Sequence, residues 1–202
     1  MNSPENPNNN ESWEDVEIAA RAFLKWDESH LYLMIDAYDD VQYNYHTDAS
    51  IWDGDSMQIS LDTKNTKSTK YDDDDYELGM AIGGVGVEFW AWQSPIKNTT
   101  GKVDFINIIR DDDKMVTRYI AAFPKSEIPT LELKDGNVFG MNIAINEGDV
   151  LNRDGYYQFT SGTADSKNPS LYADFIFTKG SKENYIDGKA VYLFPLAINK
   201  NK

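Results

Sequence analysis

Two kinds of side chain in this sequence have the chemistry to hold a ligand: indole rings, and carboxylates or amides set among alternating residues. The stretch IWDGDSMQISLD, residues 51–62, contains both. It places Trp52 before an acidic turn, after which polar and apolar residues alternate from Ser56 to Asp62. Such alternation is typical of a β-strand with one buried face and one outer face. Trp52 is then either an exposed ring that meets a ligand or a hydrophobic plug at the rim of a sheet.

Similar alternation in four segments predicts which side chains share a face. The apolar set is expected to face the core and consists of Met57, Ile59, Leu61, Tyr76, Leu78, Met80, Ile82, Val87, Phe89, Ala91, Phe139, Met141, Ile143 and Ile145. The other set is expected to face outward and consists of Ser56, Gln58, Ser60, Asp62, Glu77, Gly79, Ala81, Glu88, Trp90, Trp92, Asn142, Ala144 and Asn146. Gly79 and Ala81 would form a floor that lets a flat ligand approach the backbone. In the alternative arrangement, Trp90 and Trp92 face the core or pack under a loop.

An outer surface of aromatic planes, amides and a carboxylate has the chemistry that recognises a sugar. A pyranose ring offers an apolar C–H face for stacking and a rim of hydroxyl groups for hydrogen bonds. The charge of the chain suits a neutral ligand, since 34 acidic residues against 19 basic ones give a net charge of −15. Such a surface repels phosphate backbones and anionic lipids. We therefore expect neither a nucleic-acid partner nor a membrane partner.

The elements that position these side chains are predicted to be strands. The candidates are residues 22–26, 31–39, 56–62, 76–82, 87–92, 103–110, 116–124, 138–146, 156–162 and 171–178. No segment keeps an apolar period of 3.6 residues, and the length of 202 residues suits one all-β domain. The sequence thus predicts a single antiparallel β-sandwich of jelly-roll or immunoglobulin-like form.

Several of these segments resemble the family 9 carbohydrate-binding modules and their sugar-binding relatives. The resemblance runs from about Ala20 to Phe177 and is strongest in LKWDESHLYLMIDAYDD (24–40). The other matching segments follow in the family's order and are IWDGDSMQISLD, YDDDDYELGMA (71–81), RYIAAFP (118–124), FGMNIAINE (139–147) and NPSLYADFIF (168–177). The resemblance implies a β-sandwich appended to a secreted enzyme that degrades plant cell walls. A covalently linked catalytic domain and an extracellular location are therefore expected.

The resemblance also assigns candidate site residues. Trp52 stands where the family stacks a tryptophan on the sugar, Gln58 replaces a glutamate, and Glu77 replaces a glutamine. The chain departs from the family at Gly79, where an arginine is usual, and at about Ser166, where a second stacking tryptophan is usual. We expect Trp90 or Trp92 to substitute as a platform, with a different ligand or with binding along a chain rather than at its end. The candidate carbohydrate-binding residues are Trp52, Gln58, Glu77, Trp90, Trp92, Asn146 and Arg153.

The acidic turns suggest a metal ion. Carboxylates crowd together at Asp72, Asp73, Asp74 and Asp75, and Ca²⁺ with its oxygen ligands would relieve their repulsion. Family members often carry structural calcium, so Ca²⁺ is the expected cofactor, with a solvated acidic loop as the alternative. The absence of cysteine excludes thiolate zinc sites.

Three functions compete at this stage. The first is a non-catalytic module that binds plant or microbial cell-wall polysaccharide, such as cellulose or xylan, and targets an appended glycoside-degrading enzyme. The second is a structural or adhesion spacer of a secreted multidomain protein. The third is a glycosidase or lyase domain, for which Glu77 and Glu88 are the best candidate carboxylate pair. We expect no catalytic activity.

The ends of the chain are expected to differ from its middle. Residues 1–11 are predicted to be a disordered linker, and residues 12–180 the sandwich. Residues 181–202 would complete the sandwich with a C-terminal strand or link it to a further module. We hypothesise that residues 185–198 lie beside the strand at 20–26.

Overall fold

The computed structural model describes residues 18–95 and 105–178, together with the backbone of 185–186, 189–190 and 192–195. The predicted linker and most of the predicted C-terminal segment lie outside the described residues. In chain order the strands are β1 (Ile18–Trp26), β2 (His30–Asp39), β3 (Ser56–Asp62), β4 (Asp75–Gly83), β5 (Gly86–Gln93), β6 (Phe105–Asp111), β7 (Val116–Pro124), β8 (Val138–Glu147), β9 (Gly155–Gln158), β10 (Ala173–Ile176), β11 (Tyr185–Ile186), β12 (Lys189–Ala190) and β13 (Tyr192–Pro195).

Two antiparallel sheets form the sandwich, which confirms the predicted fold class. The first sheet has the strand order β13-β1-β2-β7-β6, and the second has the order β10-β8-β3-β4-β5 with β9 beside β8. Strand β13 pairs with β1, so that Arg21 lies opposite Pro195 and Leu24 opposite Tyr192. This is the position that the hypothesis for the terminal segment requires. No helix in the described part of the chain has the length and apolar character needed to span a bilayer.

The core lies between the sheets, where the alternation placed it. The predicted inward residues of β3, β4 and β8 are buried except Ile82, which is partly buried and packs against the core as do Phe89 and Ala91 of β5. Phe89 also contacts Phe123 of the first sheet, with ring centroids 6.1 Å apart. Val87 is an exception, because it lies beside the β4–β5 turn and is 47% exposed.

The outer face of the second sheet is also buried, which the sequence did not predict. Alternation correctly separates its side chains from the core, but Ser56, Gln58 and Ser60 are each no more than 2% exposed. Loops cover these side chains. Thr163, in the loop after β9, donates a hydrogen bond to the Ser60 Oγ at 3.0 Å. Polar groups removed from water require hydrogen-bond partners, so this face is the first place to look for a site.

Candidate functional site

A row of hydrogen-bonded side chains crosses the buried outer face of the second sheet. The amide of Asn146 on β8 donates to the Gln58 Oε1 on β3 at 3.3 Å. The amide of Gln58 donates in turn to the Glu77 Oε1 on β4 at 2.9 Å. The three strands lie side by side, so residues distant in sequence meet on one face. We call these three residues the polar row.

Donors from two loops complete the coordination of Glu77. Tyr71 donates its hydroxyl to the Glu77 Oε2 at 2.6 Å, and the Lys167 ammonium forms an ion pair with Oε1. Burial, and then the nearby charge of Glu77, raises the pKa of Tyr71 far above its ordinary value, so the phenol stays protonated and remains a donor. Three donors on one buried carboxylate make Glu77 a structural centre of the site.

Trp52 lies at the surface above the polar row and is 37% exposed. The guanidinium of Arg153 lies over its ring, with the Arg153 Cζ 4.9 Å from the ring centroid. The same Cζ lies 4.9 Å from the ring centroid of Tyr156. Arg153 also reaches the polar row, because its Nη1 donates to the Asn146 Oδ1 at 3.1 Å. The surface indole is thus fixed to the buried network through one arginine.

Trp92 fills the space above Gly79. A Cβ built on Gly79 would lie 2.4 Å from the Trp92 Cζ3, so this ring position requires glycine on β4. The register between β4 and β5 shifts between Glu77 and Leu78, an irregularity of the β-bulge kind. Glu77 pairs with Gln93 and Leu78 with Ala91, so Trp92 is the residue at the shift. Its Nε1 donates to the Ala49 carbonyl at 2.8 Å, which ties the ring to the loop before β3.

The predicted site residues are therefore close to one another but not all at the surface. Trp90 and Trp92 lie on the outer face, as the prediction required, and both are half-buried. Three residues expected to face a ligand are instead covered by loops: Gln58 is 2% exposed, Glu77 2% and Asn146 1%. The expected small-residue floor is closed as well, since Trp92 covers Gly79 and Ala81 is fully buried.

Sequence reasoning missed three members of the site, namely Tyr71, Tyr156 and Lys167. Tyr71 and Lys167 lie in loops, whose course over the sheet has no sequence period that predicts it. Tyr156 follows Arg153 by three residues in NRDGYYQ, and an aromatic residue so close to a candidate arginine was the available signal.

The predicted calcium ligands do not converge. Asp73 is exposed, and the neighbouring carboxylates accept bonds from backbone amides: the Asp74 amide donates to Asp72 at 3.1 Å, and the Asp72 amide donates to Asp75 at 2.7 Å. The carboxylates of these turns are therefore engaged in holding the turns themselves. The metal site predicted at Asp72–Asp75 therefore stays a prediction.

A different carboxylate group has metal-like spacing. Oxygens of Asp39, Asp40 and Asp149 all lie within 4.8 Å of one another. Among the described residues, this is the group of three acidic side chains whose spacing would suit a shared metal ion. The Asp149 Oδ1 is buried with no hydrogen-bond partner. Burial raises the pKa of Asp39 to about 6, and it also raises the pKa of Asp149. Ca²⁺ binds about six to eight oxygen ligands, and these three carboxylates would supply part of such a set.

A partly exposed indole joined through Arg153 to a buried polar row has the chemistry of a ligand-binding surface. The chain belongs to the family described as carbohydrate family 9 binding domain-like, whose model matches residues 3–179. This confirms the family resemblance seen in the sequence. The family is one of non-catalytic binding modules.

Solved structures share this fold. A family 9 carbohydrate-binding module from Caldicellulosiruptor kristjanssonii in complex with cellotriose has a TM-score of 0.66 and 19% identity, over 85% of this chain and 80% of that one. A structure of a family 9 module from the same organism in complex with glucose has a TM-score of 0.66 and 20% identity, over 84% and 81% of the two chains. A search of curated proteins found no match.

The contact between Gly79 and Trp92 predicts a strong coupling. Gly79→Ala should lower the free energy of unfolding by about 1–3 kcal/mol, because the added methyl group overlaps the indole. The same substitution should cost much less in a Trp92→Ala background, where the ring is gone. Urea unfolding of the four proteins of this double-mutant cycle measures the coupling. Additive effects would show that the indole does not occupy this space.

Buried Asp75 predicts a pH-dependent stability. Its Oδ1 has no hydrogen-bond partner, and burial with the nearby charges of Asp72 and Asp62 raises its pKa from 3.8 to about 7. The folded protein therefore keeps a proton that the unfolded chain releases, so the free energy of unfolding falls as pH rises from 3.8 to about 7.

Asp75→Asn should make this pH dependence shallower. Its melting temperature should exceed that of the native protein by a margin that grows between about pH 5 and about pH 8. Thermal melts across that range measure the margin, and Asp73→Asn at the exposed neighbour is the control. A constant margin would mean that Asp75 is ionised in the folded protein throughout.

Proposed function

We propose that this chain is a non-catalytic module that binds a neutral polysaccharide by stacking a sugar ring on Trp52. The observation that carries the proposal is the indole of Trp52, which is 37% exposed and held by the guanidinium of Arg153 on a fold of the carbohydrate-binding family. A ring fixed before the ligand arrives loses little conformational freedom on binding. Half-buried Trp90 and Trp92 on the same outer face are the candidates for a second contact.

The relatives suggest the class of ligand and the biological setting. Modules of this fold have been solved with cellotriose and with glucose, which supports a β-linked glucan as the ligand here. Xylan is the second ligand that we propose to test. We propose that the module is secreted as part of a longer chain and targets a linked polysaccharide-degrading domain to its substrate. The net charge of −15 favours uncharged glycans over anionic ones.

The observed carboxylates do not favour a glycosidase or lyase. Such an enzyme needs two carboxyl groups facing a cleft. Glu77 is 2% exposed and accepts bonds from three donors. Glu88 accepts a hydrogen bond from the Asp48 backbone amide at 2.9 Å. Buried Glu77, bonded to three donors, is therefore not placed to act with Glu88 as a catalytic pair.

Trp52→Ala should reduce affinity for the polysaccharide by about fivefold or more, because stacking a ring on an aromatic side chain contributes on the order of 1 kcal/mol or more. Affinity electrophoresis in gels containing soluble cellulose or xylan derivatives measures the loss. Phe105→Ala is the matched control, since Phe105 is a 50% exposed aromatic residue on the other sheet. Retained binding by the Trp52 variant would refute the site. Failure of the native protein to bind any glycan on an array would favour the spacer function.

We also propose that Asp39, Asp40 and Asp149 hold a structural Ca²⁺. The support is the 4.8 Å grouping of their oxygens and the unpaired Asp149 Oδ1. Asp39 and Asp40 lie at the end of β2, and Asp149 lies in the loop after β8. An ion bound by all three would therefore connect the two sheets at this end of the sandwich. A divalent cation there would supply charge compensation and no chemistry.

Calcium should raise the melting temperature of the native protein. At about 100 times its dissociation constant, a ligand specific to the folded state stabilises by about 2.7 kcal/mol. That corresponds to a shift of about 5–10 °C for a domain of this size. Asp149→Asn should abolish the rise, whereas Asp73→Asn should retain it. Equal calcium responses in both variants would place the ion elsewhere.

A further inference from the structure

Three flat groups form a stack at the edge of the site. Tyr156 lies innermost and is 6% exposed, the guanidinium of Arg153 lies in the middle, and Trp52 lies outermost and is 37% exposed. The Arg153 Cζ is 4.9 Å from the centroid of each ring. The guanidinium thus lies against both aromatic rings, and the ring face of Trp52 that it covers is closed to a sugar.

Several contacts hold the arginine in this position. Its Nη1 donates to the Asn146 Oδ1 at 3.1 Å, and its backbone amide donates to the Asp53 Oδ1 at 3.1 Å. A cation between two ring faces gains electrostatic attraction from both quadrupoles. Asn146 is only 1% exposed. If the Arg153 side chain withdrew, the Asn146 Oδ1 would lose this donor where water cannot easily replace it, which costs free energy. The structure therefore favours an arginine that stays in place.

The stack leaves one face of Trp52 for a ligand. Because Arg153 covers the inner face, the exposed area of the indole belongs to the outer face and the ring edge. The space below is closed by other side chains: Trp92 covers Gly79, and Gln58 is 2% exposed. Among the described residues, a sugar ring can therefore lie on this surface but cannot reach Gly79 or Gln58.

We infer that Trp52 is an open platform that binds internal stretches of a polysaccharide from the side, with Arg153 as its positioning residue. The inference rests on the proposed carbohydrate-binding function and specifies the part of the ligand that is recognised. A site that encloses a chain end needs contacts on both faces of the terminal sugar. A one-sided platform contacts a ring through a single face and leaves the chain free to extend in both directions, so neighbouring rings that reach Trp90 or Trp92 on the same outer face would add affinity.

Isothermal titration of the native protein with a series of β-1,4-linked oligosaccharides tests the mode of binding. Affinity should rise steadily from the disaccharide to the hexasaccharide. Borohydride reduction of the terminal sugar should change the affinity for the hexasaccharide less than about twofold, and free glucose should not compete. Competition by glucose, or loss of binding on reduction, would overturn the inference. If one of these two results is found and Trp52→Ala still loses binding, only the binding mode is wrong and the proposed function stands. If binding does not need Trp52, the proposed site itself is refuted.

Fluorescence quenching tests the role of Arg153. Arg153→Ala should increase quenching of Trp52 by acrylamide, because the inner face of the ring becomes accessible, and the increase should vanish in a Trp52→Phe background. Arg153→Lys, which lacks the planar fork, should give an intermediate value. Arg21→Ala is the matched control, since Arg21 lies over the Tyr38 ring at 5.7 Å on the other sheet. Unchanged quenching in Arg153→Ala with correct folding would show that the inner face is not covered.

Discussion

The site depends on the requirement that polar groups removed from water must find partners. Loops cover the outer face of the second sheet, and they bury Asn146, Gln58 and Glu77. These side chains satisfy one another across three strands, and Tyr71 and Lys167 complete the coordination of Glu77. A partly satisfied network would be costly, so each loop is held in the position where its donor is needed. The location of Trp52 at the surface follows from this arrangement, because Arg153 links its ring to Asn146.

The same arrangement explains how this chain accommodates its departures from the family pattern. Gly79 replaces the arginine that the family resemblance leads one to expect, and the space is filled by Trp92 through an irregularity in β5. Ser166 replaces the expected second stacking tryptophan, and Arg153 lies between Trp52 and Tyr156 instead. In both places, a side chain of the protein itself fills the space: Trp92 above Gly79, and Arg153 beside Trp52. The result is a surface on which the Trp52 indole is 37% exposed.

The fold could be predicted from the sequence because alternation reports directly on the two faces of a strand. Met57, Ile59 and Leu61 are all fully buried in the core, as their period of two requires. The same rule separated Trp90 and Trp92 from Phe89. It could not predict that Gln58 would be buried, because alternation distinguishes core from outer face and carries no information about a loop that covers the outer face. For a related reason the sequence could not indicate the Asp39, Asp40 and Asp149 group, because Asp39 and Asp149 are far apart in sequence and meet only through the fold.

A crystal structure of the protein with a β-1,4-linked hexasaccharide would test the central claim most directly. The account predicts a sugar ring parallel to the outer face of Trp52, with the guanidinium of Arg153 still between the two aromatic rings. Gln58 and Glu77 would keep their present hydrogen bonds to each other. Sugar hydroxyl groups bonded directly to Gln58 or Glu77, with Arg153 displaced from the stack, would contradict it.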